Sequence, residues 1–131
     1  MSKLTDIQIK PLRTWNISAG FLHLASLVAI LALSNSFSLP VTATYMTGPP
    51  GSAFTSPILL FSNNVAYTIA VFLGLSAFFH FLVSSKKYFP IYADGLKKNR
   101  NIFRWVEYSL SSSIMIFLIA QLNGITDYAA L

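Results

Sequence analysis

One acidic residue, Glu107, lies inside a long apolar stretch. A carboxylate there costs roughly 2.5–3.5 kcal/mol to insert into a bilayer, so such groups usually face a protein interior and carry function. At helical spacing Arg104, Glu107, Ser111 and Gln121 fall on one face, with Tyr108 beside it. Two other apolar stretches each carry a histidine. His23 shares a face with Asn16, Ser26, Ile30 and Ser34, while His80 has Ser76 and Ser84 at i−4 and i+4. Histidine changes charge near neutral pH, so this set of groups is suited to proton exchange. The bland alternative for Glu107 is an interfacial pair with Arg104 at i, i+3, close to the membrane edge. For each histidine it is an ordinary hydrogen-bonded interior residue. A metal site on His23 and His80 lacks a third ligand. No phosphate-binding loop, nucleophile triad or substrate constellation is visible, so the chain does not read as an enzyme.

Three spanning helices must position these groups. The chain has 131 residues, of which 54% are apolar and 10% charged. An ordinary soluble domain is roughly 25% charged. Mean hydropathy is +0.60. A soluble domain of this size leaves about a third of its surface exposed and could not hide so much apolar area. Disorder is excluded for the same reason. The fold class expected is all-α transmembrane. The first helix covers about residues 15–34, the second about 64–84 and the third about 101–123. Each spans roughly 28–32 Å, enough to cross a bilayer. A cleaved signal peptide is the competing reading of the first, with Val41-Thr42-Ala43 as the cleavage site. The apolar run is longer than a usual signal core and carries His23, which speaks against it.

The connections carry their own signals. Lys3, Lys10 and Arg13 precede the first span; Lys86, Lys87, Lys97, Lys98, Arg100 and Arg104 follow the second. These are all nine basic residues, and the loop after the first span has none. The positive-inside rule then puts the N-terminus and the second loop in the cytoplasm. The net charge of +5 reads as this basic face, touching anionic membrane lipid, and not as a nucleic-acid site. Trp15 and Trp105 fit the inner headgroup layer. In the outer loop, β-forming residues from Val41 to Thr47 precede Gly48-Pro49-Pro50-Gly51, and Phe54 to Phe61 can return. A β-hairpin is expected over about residues 40–62. After Gly124, residues 126–131 look like the opening turn of a fourth helix, with Asp127 as its cap. Cysteine is absent, which removes disulfide, thiolate-metal and thiol-nucleophile chemistry.

The run Asn101-Ile-Phe-Arg-Trp-Val-Glu107-Tyr-Ser-Leu-Ser-Ser-Ser113 resembles the third helix of heliorhodopsins. Gly20-Phe-Leu-His23, Gly74-Leu-Ser76-Ala-Phe-Phe-His80-Phe, Leu39-Pro-Val and Gly48-Pro-Pro-Gly51 are similar to other parts of the same family. The resemblance runs from about Ile9 to the end. It implies part of a seven-helix, light-sensing membrane protein that binds all-trans retinal as a protonated Schiff base on a seventh-helix lysine. It implies a cytoplasmic N-terminus, the orientation the charges give independently. It further implies that Glu107 is the counterion, and that His23, His80 and Ser76 form a proton-transfer network beside it. Tyr108, Ser112 and Met115 would line or approach the retinal, and Arg104 would lie on the cytoplasmic side. The family signals and does not pump ions, and it forms homodimers to which the outer hairpin contributes.

One departure stands out. The lysines are Lys3, Lys10, Lys86, Lys87, Lys97 and Lys98, all at or outside the inner interface. None matches the seventh-helix lysine. The expectation is therefore the N-terminal portion of a multi-pass cell-membrane photoreceptor, with an unknown signalling partner. The alternative is a stand-alone three-helix membrane protein that binds a partner without chromophore.

Overall fold

A computed structural model describes residues 9–131. Three helices are long and apolar enough to cross a membrane: α1 (Leu12–Leu33), α2 (Val65–Ser84) and α4 (Ile102–Leu122). A short helix, α3 (Phe89–Lys97), lies between α2 and α4. It was not expected from the sequence. Two strands, β1 (Ser38–Ala43) and β2 (Ile58–Asn64), join α1 to α2 as an antiparallel pair.

The helix ends follow local chemistry. The Asn64 side chain accepts from the Tyr67 backbone N–H at 3.2 Å and caps α2. Asn101 accepts from the Arg104 N–H at 3.1 Å and caps α4. Pro90 sits in the first turn of α3, where its missing N–H is not needed. Gly124, at φ 86°, ends α4. Its N–H donates to Gln121 O at 2.9 Å and that of Ile125 to Ala120 O at 3.0 Å, a Schellman pattern that needs the left-handed residue.

Packing brings α1 against α2, and α2 against α4. The Phe21 and Phe81 rings meet edge-to-face at 5.2 Å. Gly20 faces the same Phe81 ring, and a Cβ there would lie 2.8 Å from it. Between α2 and α4, small polar side chains (Ser76, Ser111) are buried beside Glu107. Small residues let membrane helices approach closely where no hydrophobic force joins them. Large apolar side chains such as Phe21, Leu22, Val28, Val71 and Ile116 stay exposed. That is the inverse of a soluble core, and it suits a lipid solvent.

The hairpin between α1 and α2 forms as the turn residues suggest, with its paired strands shifted. Strand register runs from Ser38↔Asn64 to Ala43↔Ile58 with a bulge between Val41 and Thr42. Met46 and Phe54 make a further isolated pair nearer the turn. The hairpin does not stand alone. Thr42 N–H donates to Thr126 O, and Tyr128 N–H donates to Thr42 O, each at 2.7 Å. The segment after α4 thereby docks on the free edge of β1, and Val41 beneath it is 0% exposed. The residues expected to open a further helix form a turn here. Asp127 caps it, its Oδ1 accepting from the Ala129 N–H at 2.9 Å.

Candidate functional site

Glu107 sits on the inward face of α4 and is 7% exposed. Its Oε1 accepts a hydrogen bond from Ser76 Oγ of α2 at 2.9 Å. One turn further along α2, His80 Nδ1 donates to Asn16 Oδ1 of α1 at 2.9 Å. An amide oxygen only accepts, so Nδ1 carries the proton in this arrangement and Nε2 is left as an acceptor. Asn16 is fixed in that orientation because its amide donates to Leu12 O at 2.8 Å. The rings of His23 and His80 stack with centroids 5.4 Å apart and planes at 14°. A cleft of about 260 Å³ opens beside the group, its lining including Asn16, His80, Tyr92, Asn101, Arg104 and Glu107. Three helices thus bring Glu107, Ser76, His80 and His23 together.

Arg104 does not take the bland role. It turns along α4 to Tyr108, its Nη2 donating to the phenol and its guanidinium lying 4.5 Å from the ring centroid. Among the described residues Arg104 and Glu107 form no ion pair. Among the described residues the hydrogen bond to this buried carboxyl comes from a neutral hydroxyl, and Arg104, which lines the same cleft, forms no ion pair with it. A charge buried without an opposite charge is costly.

Tyr108, Ser112 and Met115 lie on the outward side of α4, all exposed. Met115 borders a groove of about 580 Å³ lined only by apolar residues, among them Ile69, Phe72, Leu118 and Ile119. Asn16, Tyr92, Asn101 and Phe103 are neighbours of the site that residue types alone did not bring forward. For Asn16 a signal existed, since it lies two helical turns before His23 on one face. Tyr92 had none, because it comes from the unexpected helix α3.

At the hairpin end of the helices a second polar group ties the elements. Gln121 is 2% exposed. Its Oε1 accepts from Asn63 Nδ2 at 2.7 Å, and Asn63 Oδ1 accepts from Thr68 Oγ1 at 2.6 Å. This network fixes β2 to α2 and α4.

Apolar spans joined by buried polar contacts define a multi-pass membrane protein. The sequence model of the heliorhodopsin family matches residues 12–131. The chain belongs to that family, and it is a microbial-rhodopsin-like, light-sensing protein. No curated protein matches it.

Proposed function

We propose that this chain supplies the counterion and the adjoining proton network of a retinal-binding photoreceptor that signals and does not pump. The observation that carries this reading is the Glu107 carboxyl, buried with Ser76 as partner and with no ion pair among the described residues. A group that brings positive charge into the bundle fits that carboxylate. When bound, all-trans retinal supplies light absorption and, at its linkage to lysine, a positive charge. Glu107 would stand opposite that charge, with Tyr108, Ser112 and Met115 toward the chromophore. No lysine lies within α1, α2 or α4, so these helices do not provide the attachment. His23, His80 and Ser76 form the proton-transfer network beside the carboxylate, with Asn16 orienting His80, and the histidines serve to accept or relay a proton after illumination. The N-terminus faces the cytoplasm of a cell membrane, the protein works as a homodimer, and a separate partner reads its state. No enzymatic role is assigned.

The test is Glu107→Gln in protein expressed from the complete reading frame and regenerated with all-trans retinal. The substitution keeps the shape and removes the charge. An opposite charge within about 4–6 Å raises the pKa of a cation by roughly 1–3 units, so the pKa should fall by that order. If the cation survives at neutral pH, its absorption shifts red. If it is lost, the band moves toward the near-ultraviolet. A spectrum and pH titration identical to those of the parent protein would sink the assignment.

A further inference from the structure

A second cleft lies between α3 and the start of α4. It measures about 230 Å³, and its lining includes Ile91, Tyr92, Gly95, Arg100, Ile102 and Phe103. Its walls are mostly apolar, and Arg100 stands among the residues that line it. The backbone holds that residue in place. Arg100 N–H donates to Gly95 O at 2.8 Å, and a Cβ at Gly95 would meet Arg100 O at 2.8 Å. The Arg100 side chain is exposed. Among the described residues it has no hydrogen bond or ion pair of its own.

The surroundings combine positive charge with exposed apolar groups. Between residues 85 and 106 there are six basic side chains and one acid, Asp94. That acid is taken by Lys98 at 2.7 Å. Lys86 and Lys87 are exposed just after α2. Ile91, Ile102 and Trp105 are exposed among these charges. The ends of two spanning helices set this surface at the level of the headgroups. A nucleic acid or an acidic protein would match the charge and leave the isoleucines and the indole in water. A lipid with an anionic headgroup matches both.

We infer that this cleft seats an anionic phospholipid. Its phosphate rests on Arg100, reinforced by the field of Lys86, Lys87 and Lys98. The first part of an acyl chain lies along Ile91 and Ile102. The surface has the same chemistry whichever compartment it meets, so this site stands apart from the counterion reading.

Trp105, exposed and one helical turn after Ile102, reports on lipid near the cleft. The chain has two tryptophans, and Trp15→Phe leaves Trp105 as the only one. That protein is placed in phosphatidylcholine nanodiscs containing a fixed fraction of bromine-labelled lipid, either phosphatidylglycerol or phosphatidylcholine. The brominated phosphatidylglycerol should quench Trp105 more strongly, corresponding to a local enrichment of roughly two- to fivefold. Salt at about 1 M, where the screening length is about 3 Å, should reduce the difference. Arg100→Gln combined with Lys98→Gln should also reduce it. Equal quenching by the two lipids at low salt would overturn the inference. So would an undiminished preference in the double variant. The lipid and salt comparisons need no charge substitution, so they decide the matter even if that variant fails to fold.

Discussion

The hydroxyl of Ser76 is the hydrogen-bond partner seen for the Glu107 carboxylate, so its removal isolates one contact. Ser76→Ala leaves a buried acceptor unmet. In soluble proteins that costs about 1–3 kcal/mol, and interhelical hydrogen bonds in membranes average nearer about 0.6 kcal/mol. A loss of about 1 kcal/mol in detergent-based unfolding is the expected outcome. No measurable loss would mean that Glu107 is hydrogen-bonded elsewhere. Gly20 offers an opposite test, of space and not of polarity. Its Cβ would come within 2.8 Å of the Phe81 ring. Gly20→Val should cost about 1–3 kcal/mol by overpacking, and Gly20→Ala less, because a single methyl asks the ring to move only slightly. If valine is tolerated as well as alanine, α1 and α2 do not meet there. At this scale the sequence reveals which residues matter better than it reveals their partners. Glu107, Ser76 and the two histidines stand out because polar groups inside apolar runs are expensive. Arg104 is different. Its long side chain reaches i+3 or i+4 equally well, and spacing alone cannot choose between Glu107 and Tyr108.

The spanning helices are legible because their signal is length and hydropathy, which no neighbour needs to complete. The hairpin is legible from Gly48-Pro49-Pro50-Gly51, although its strands pair nearer the membrane than the β-forming run suggests. The bulge at Val41/Thr42 and the docking of Asp127 on Thr42 are not legible. The docking joins residues 85 positions apart and the bulge interrupts a pairing of residues 17–20 apart, and no local pattern encodes either. Helix α3 escaped for another reason. It has nine residues, opens at a proline and ends among lysines, so it reads as a loop. The docked segment makes a pH-dependent prediction. The Asp127 carboxyl is held below its ordinary value, first by the Ala129 N–H and then by the Thr44 hydroxyl. The folded chain therefore favours the ionised form. That contact adds stability above the ordinary carboxylate pKa and loses it as pH falls through the lower folded-state value. Hydrogen-exchange protection at the Tyr128 amide, corrected for intrinsic rate, should drop on acidification through that window. Asp127→Asn should remove the step. A step that survives in the asparagine variant would assign it to another group.

Orientation is a property of the whole molecule, and here it can be tested cleanly because the chain contains no cysteine. Lys3, Lys10 and Arg13 lie before α1 or in its first turn, and the other six basic residues lie between the end of α2 and the first turn of α4. The hairpin loop carries none, so one end of the bundle is strongly positive and the other is not. Positive loops resist translocation, so the expected arrangement has the α3 side in the cytoplasm and the hairpin outside. Two single-cysteine variants report on the two faces. Ser52→Cys lies in the hairpin turn, and Lys86→Cys lies in the exposed segment after α2. A membrane-impermeant maleimide applied to intact cells should label the cysteine at position 52. The cysteine at position 86 should react only after the membrane is permeabilised. Position 86 is exposed and position 52 half-buried, so each is compared with its own labelling after permeabilisation, which measures sidedness and not reactivity. The reverse pattern would put the N-terminus outside. It would also move the lipid cleft of Arg100 to the outer leaflet, where anionic lipid is scarcer in many cells. Labelling of both sites in intact cells would mean that the population inserts in both directions, and that the charge asymmetry does not fix the topology.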